Sequence, residues 1–205
     1  MTGVSETQDQ RLSVLGKVFA EATQHAAAAM CRWTNGLISV TLDEVRSVPL
    51  EELQDAVGVG DQMLTMVVVP MYGQVGGSWI LAFDERNARQ LAASLLGGDE
   101  GTAPQWSELE KSALTETGNI LGCAYANALA QLTGVDLVPS APCFIQDFGA
   151  SVLQQAVAPQ ALRSDHLLLC HVRFCRLGQE LDWQLIFLPT QSMQETIHRS
   201  LSMDS

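Results

Sequence analysis

The segment from Ser112 to Pro142, S-A-L-T-E-T-G-N-I-L-G-C-A-Y-A-N-A-L-A-Q-L-T-G-V-D-L-V-P-S-A-P, decides how the rest of the chain is read. Just ahead of it, Ser107 and Glu110 form the Ser-x2-Glu arrangement of a capping box. The pattern predicts a long helix from about Glu108 to Leu132, stopped near Gly134, and then a strand over Val135–Val138. On that helix Ser112, Glu116 and Asn119 stand at i, i+4 and i+7 and share one face. A hydroxyl, a carboxylate and a carboxamide therefore form one polar stripe. Pro142 follows Asn119 after 22 intervening residues.

Outward from this segment the chain reads as two similar halves. A helix is predicted from about Arg11 to Trp33, ending at the stop signal Asn35-Gly36, and then a strand over Leu37–Val40. Asp43 to Leu53 is mixed, with Pro49 and the acidic start of a short helix. Met63–Tyr72 reads as a buried strand, Gly73, Gly76 and Gly77 as a turn, and Ser78–Phe83 as its hairpin partner. Asp84 caps a helix over Glu85–Leu96. In the second half a helix is predicted over about Ala150–Val157, ending before Pro159. A hairpin of His166–Phe174 and Leu181–Leu188 around Gly178 follows, then a last helix from about Gln191 to Leu201. Each half thus runs long helix, strand, short helix, hairpin, helix. The closing segments A-F-D-E-R-N-A-R-Q-L-A-A-S-L-L and F-L-P-T-Q-S-M-Q-E-T-I-H-R-S-L are alike. This order predicts an internal duplication and one α/β domain over residues 1–205, with pseudo-twofold symmetry and helices covering a shared sheet. Its halves are placed at about 11–98 and 106–201, joined by a linker at about 97–105 that is rich in Gly.

Composition narrows the function classes. Hydrophobic residues make up 47% of the 205, which suits a globular chain. The net charge of −12, with no local basic cluster, speaks against nucleic-acid binding. No apolar run is long enough to span a membrane, and the start M-T-G-V-S-E-T-Q-D-Q lacks the features of a signal peptide, so the cytoplasm is expected. Five cysteines, Cys31, Cys123, Cys143, Cys170 and Cys175, are read as free thiols in or near the core. His166, Cys170, His171 and Cys175 do not make a metal site if they lie on a strand. There, adjacent residues face opposite ways and residues four apart are about 13 Å apart.

The Ser-x3-Glu-x2-Asn stripe followed by Pro142 resembles the active-site signature of the CheC/CheX/FliY family of chemotaxis phosphatases, and the resemblance extends over most of residues 11–201. It is nearest the CheC pattern, because FliY-type members carry an extra C-terminal module for which these residues leave no room. The resemblance implies a CheC-like fold, α/β (α+β), with helices packed on a shared, mostly antiparallel sheet. It implies a phosphatase acting on the phospho-aspartate of a CheY-like receiver domain in chemotaxis signalling. In that reading Asn119 orients the attacking water and Glu116 pairs with the receiver's Lys. Ser112 extends the contact face, and Pro142 shapes the loop after the strand. No metal would come from this chain, since the receiver supplies its own Mg2+. The resemblance also allows CheD as a partner, and a homodimer. The alternative is a non-catalytic CheC-like adaptor that binds a receiver domain or CheD.

The first half departs from this pattern. Matching Gly36 to Gly134 places Val18 opposite Glu116 and Glu21 opposite Asn119. Allowing one inserted residue places Ser13, Lys17 and Ala20 opposite Ser112, Glu116 and Asn119. Neither register yields Glu-x2-Asn, so one site per chain is expected. Asn127, eight residues after Asn119, is read as a helix-packing or capping residue.

Overall fold

The computed structural model describes residues 3–58, 62–73, 75–98, 104–161, 166–176 and 178–202. Helix α1 (Gly3–Trp33), strand β1 (Ile38–Pro49), a 3-10 turn at Leu50–Glu52, helix α2 (Leu53–Val57), the hairpin β2 (Met63–Gly73) and β3 (Gly77–Phe83), and helix α3 (Glu85–Leu96) form the first half. Helix α4 (Glu108–Thr133), strands β4 (Leu137–Pro139) and β5 (Cys143–Phe148), helix α5 (Gly149–Ala161), the hairpin β6 (His166–Arg176) and β7 (Gln179–Pro189), and helix α6 (Gln191–Ser202) form the second. Residues 99–103 of the candidate linker lie outside the described residues.

The strands form one sheet in the order β1-β6-β7-β3-β2-β4, with β5 also paired to β2, and every pairing is antiparallel. Helices α1 and α4 pack side by side on one face. The core beneath them contains Phe19, Trp79, Tyr125 and Phe187. Trp79 stacks on Phe187 with ring centroids 4.1 Å apart and lies 4.3 Å from Tyr125. A smaller cluster lies on the opposite face, where Leu53 and Val57 of α2 and Val152 and Leu153 of α5 meet Leu64, Met66, Ile80, Ile186 and Leu188.

The two halves superpose in register. Ile38 pairs with Arg176 and Leu137 with Gly73; Pro49 pairs with His166 and Phe148 with Met63. Each residue of the β4–β5 segment therefore stands 99 positions after its counterpart in β1. The central β3–β7 ladder pairs Ile80 with Ile186, near which the pseudo-twofold axis passes. Capping repeats too. Asp84 accepts from the backbone N–H of Asn87 at 2.7 Å, and Thr190 accepts from that of Met193 at 3.3 Å.

Several predicted boundaries are corrected. Helix α1 starts at Gly3 rather than near Arg11, and α5 continues to Ala161. The latter passes Pro159, whose missing N–H removes only one bond so near a helix end. Strand β1 continues to Pro49 through the stretch read as mixed. A bulge between Leu42 and Glu44 shifts its alternation by one residue at Asp43. Strand β5 was not foreseen; C-F-I-Q-D-F pairs only with β2 and leaves Cys143, Gln146 and Phe148 exposed, so no clean alternation marks it.

Helix α4 sits unusually close to the sheet. A Cβ on Gly118 would overlap the side chain of Val67, and one on Gly122 would lie 3.0 Å from Val69 Cγ1. Gly118→Ala should therefore destabilise the protein by about 1–3 kcal/mol, although alanine is the better helix former. Trimming Val67 to Ala in the same chain should recover part of the loss. Urea unfolding midpoints of the single and double variants measure both effects, and a Gly118→Ala protein as stable as the parent would refute the close-contact account.

Candidate active site

Four devices fix α4 in place. At its start the Ser107 hydroxyl accepts from the Glu110 N–H at 3.3 Å, and the Glu110 carboxylate accepts from the Ser107 N–H at 2.9 Å, completing the capping box. The same Glu110 meets Arg89 of α3 at 3.0 Å, and the Arg89 guanidinium lies 4.0 Å from the centre of the Trp106 ring. Along the helix, Trp33 Nε1 donates to Thr117 Oγ1 at 3.0 Å, and Tyr125 and Thr23 share a hydroxyl hydrogen bond of 2.8 Å. At the far end Gly134 takes the left-handed conformation, φ 68°, and its N–H bonds Ala130 O at 2.9 Å.

With Gly118 turned to the sheet, the next residue lies at the rim of the helix. Asn119 is half-buried, while Ser112 and Glu116 are exposed on the same side. Asn119 Nδ2 donates to Glu116 Oε2 at 3.4 Å, and Cys123 Sγ donates to Asn119 Oδ1 at 3.5 Å. Burial, with a smaller effect from the Glu116 carboxylate, pushes the Cys123 thiol above its ordinary pKa. The predicted Ser112–Glu116–Asn119 stripe thus exists as one surface. Sequence reasoning missed Cys123, although its i+4 spacing from Asn119 was the available signal. Asn127 corrects another expectation, since it is exposed and the helix is capped by Gly134.

Pro142 lies in the break between β4 and β5. Three residues, 140 to 142, separate the two strands, against two, 69 and 70, on the facing part of β2. Ser140 N–H reaches back to Pro70 O at 2.7 Å. This is the same one-residue excess that β1 shows at Asp43, so Pro142 occupies a bulge, where a residue without an N–H costs no ladder bond. Asp43 itself contacts Arg173 at 2.6 Å and His171 at 3.2 Å.

The first half carries the scaffold without the Ser-x3-Glu-x2-Asn stripe. Thr34 donates to Met30 O and Thr133 to Leu129 O, again 99 positions apart. Asn35, at φ 51°, takes the left-handed position that Gly134 holds in the second half. The register that aligned Gly36 with Gly134 is therefore the wrong one of the two. Ser13, Lys17, Ala20 and Asp43 stand where Ser112, Glu116, Asn119 and Pro142 do.

All five cysteines are free, but only Cys170 is buried; Cys31 and Cys143 are exposed, which corrects the expectation of core thiols. Cys170 faces the main core, and its neighbour His171 reaches Asp43. His166 has its side chain outside the described residues. Among the described residues no three His, Cys, Asp or Glu side chains gather as a metal site would require, and no helix is long and apolar enough to cross a membrane.

Several known proteins resemble this chain in sequence or in fold. No family model matches the chain. It is 27% identical to the CheY-P phosphatase CheC of Bacillus subtilis over 203 residues, covering 97% of this chain and 96% of that one. Among solved structures, FliY of Thermotoga maritima matches with a TM-score of 0.72 at 16% identity, covering 96% of this chain and 98% of the other. A chain of the CheX–CheY–BeF3–Mg2+ complex of Borrelia burgdorferi matches with a TM-score of 0.57 at 18% identity, covering 83% and 97%. The duplicated sheet with two long helices on one face is thus the fold shared by CheX and FliY proteins. The chain is similar in sequence to CheC and in fold to FliY and CheX.

The support under α4 has a pH signature. Burial opposes ionisation of Glu110, but hydrogen bonds from Ser107 and the pairing with Arg89 outweigh it and hold the carboxyl below its ordinary value. A lowered pKa means that the folded state gains stability above the unfolded value and loses it as pH falls through the lowered one. At pH 7, Glu110→Gln should be less stable than the parent by about 1–3 kcal/mol. The gap should close as pH drops below about 4.3. Urea unfolding over about pH 3–7 checks the sign; a gap that stays constant with pH would contradict the assignment.

Proposed function

We propose that this chain is a phosphatase that hydrolyses the phospho-aspartate of a CheY-like receiver domain in chemotaxis signalling. The observation that carries the reading is the presentation of Glu116 and Asn119 on one outward face of a helix braced at both ends. The likeness to a protein named CheY-P phosphatase, and to a structure of CheX with CheY, BeF3 and Mg2+, supports the class of substrate.

The chemistry asks little of the chain. An acyl phosphate is already activated, and the receiver's own Mg2+ and Lys offset the phosphoryl charge. On docking, Glu116 leaves Asn119 and pairs with that Lys, which sets the register of the two proteins. The Asn119 carboxamide then accepts a hydrogen bond from a water through Oδ1 and donates to a phosphoryl oxygen through Nδ2. The water oxygen attacks phosphorus in line, the bond to the aspartyl oxygen breaks, and the proton leaves with inorganic phosphate. A neutral carboxamide suits this position because it aligns the water without repelling the phosphoryl oxygens. Ser112 widens the contact face one turn before Glu116, and Pro142 keeps the bulge after β4 compact. The same reading places the protein in the cytoplasm, where phosphorylated receivers are found.

The test is the loss of label from a phosphorylated CheY-like receiver with Mg2+ present. The parent protein should accelerate it. Asn119→Ala should reduce that acceleration by about 100-fold, the scale of a misaligned reactant. Glu116→Ala should act mainly by weakening the complex, and Lys17→Ala should leave the rate unchanged. No acceleration by the parent would favour the adaptor reading, and full activity in Asn119→Ala would remove the site.

A further inference from the structure

We propose that Cys123 is a positioning residue that holds the Asn119 carboxamide in its working orientation. The inference rests on the phosphatase reading for its catalytic consequence, but not for its geometry. The terminal torsion of an asparagine is broad and roughly two-fold, so an Asn at a helix rim has no preferred end pointing outward. Here its two ends are told apart. Oδ1 accepts from the Cys123 thiol at 3.5 Å, and Nδ2 donates to the Glu116 carboxylate at 3.4 Å. A flipped amide would set its oxygen against the Glu116 carboxylate and its N–H2 against the thiol hydrogen. The first contact would be repulsive, and in the second the amide could donate only weakly to the thiol sulfur.

When Glu116 turns to a docked receiver, the contact from Cys123 remains. It occupies one of the two lone pairs of Oδ1 and leaves the second for a water. The raised pKa of the thiol keeps it in the protonated form that can donate. A cysteine is the fitting residue for another reason visible along these helices. The hydroxyls of Thr23, Ser94, Thr117 and Thr133 all turn back to the backbone oxygen four residues earlier, as hydroxyls in helices do. Cys123 instead reaches the side chain four residues earlier, where a serine would be diverted to the main chain. In the first half the position 99 residues before Cys123 is Gln24, exposed and opposite no asparagine, since Ala20 stands in that place.

Two measurements test the inference. In the label-loss assay, Cys123→Ala should lower kcat by about two- to tenfold, the range for losing one neutral hydrogen bond. KM for the receiver and the thermal midpoint should not change, because alanine suits a helix and the thiol acts through Asn119. In an Asn119→Ala background the same substitution should have no further effect on rate. Cys123→Ser should fall between the parent and Cys123→Ala. A full kcat in Cys123→Ala, or a loss that follows KM or stability instead, overturns the proposal. The second measurement needs no activity: the side-chain amide resonances of Asn119, observed by 15N NMR, should shift and broaden in Cys123→Ala. Unchanged resonances overturn the proposal even if the phosphatase reading stands. A failure of the parent to hydrolyse the receiver, with the resonances shifted as expected, removes the phosphatase reading and leaves the positioning contact intact.

Discussion

Helix α4 lies so close to strand β2 that Gly118 and Gly122 have no room for a side chain against Val67 and Val69, and the rest of the site takes its position from that contact. Setting the glycines inward turns Asn119 to the rim and leaves Glu116 exposed one turn before it. The same close approach brings the buried face of the helix down onto the aromatic stack. Tyr125 lies against Trp79, and Trp79 on Phe187 of the opposite half. A side chain at either glycine would lift the helix, part that stack and move the polar stripe together. Site and core are therefore two consequences of one helix-to-sheet distance.

The duplicated architecture lets the two halves carry different outward residues on one fold. Among the contacts that hold α1 are the hydroxyl of Thr34 and the left-handed Asn35 just past its end, and its packing through Phe19 and Ala22. None of them involves the outward positions Ser13, Lys17 and Ala20. The outward stripe of a surface helix is nearly free of structural duty, so it can change while the inward one is kept. The bulge behaves in the same way. Asp43 and Pro142 occupy equivalent places in the sheet, yet one is tied to Arg173 and His171 while the other simply needs no hydrogen bond from its nitrogen.

Local signals made much of this readable in the amino-acid sequence. The Ser107–Glu110 box, the Asp84 cap and the stop at Gly134 depend on neighbouring residues, so the ends of α3 and α4 fall where the residues say. The polar stripe was legible for the same reason, since helical spacing alone brings Ser112, Glu116 and Asn119 to one face. What was hidden depends on distant partners. Strand β5 is defined by its pairing with β2 rather than by its own pattern. The second part of β1 is masked by the phase slip at Asp43. Arg89, 21 positions from Glu110 and part of another helix, gave no sign that it would brace the start of α4. Asn35 misled the alignment of the halves because an Asn-Gly stop offers two residues able to go left-handed, and the asparagine is the one placed at Gly134's position.

The supports around α4 gain meaning from the kind of chemistry proposed for it. A carboxamide that aligns a water contributes no charge, no nucleophile and no metal, so its worth lies in placement. A displacement of about 1 Å in such a group can cost about 100-fold in rate. Rigidity of the helix is then a catalytic requirement as well as a matter of stability. The indole of Trp33 fixes Thr117, two residues before Asn119. The hydroxyl of Thr23 fixes Tyr125, six residues after it. Both partners come from α1, the helix that has no site of its own. The first half therefore braces the second through Trp33 and Thr23.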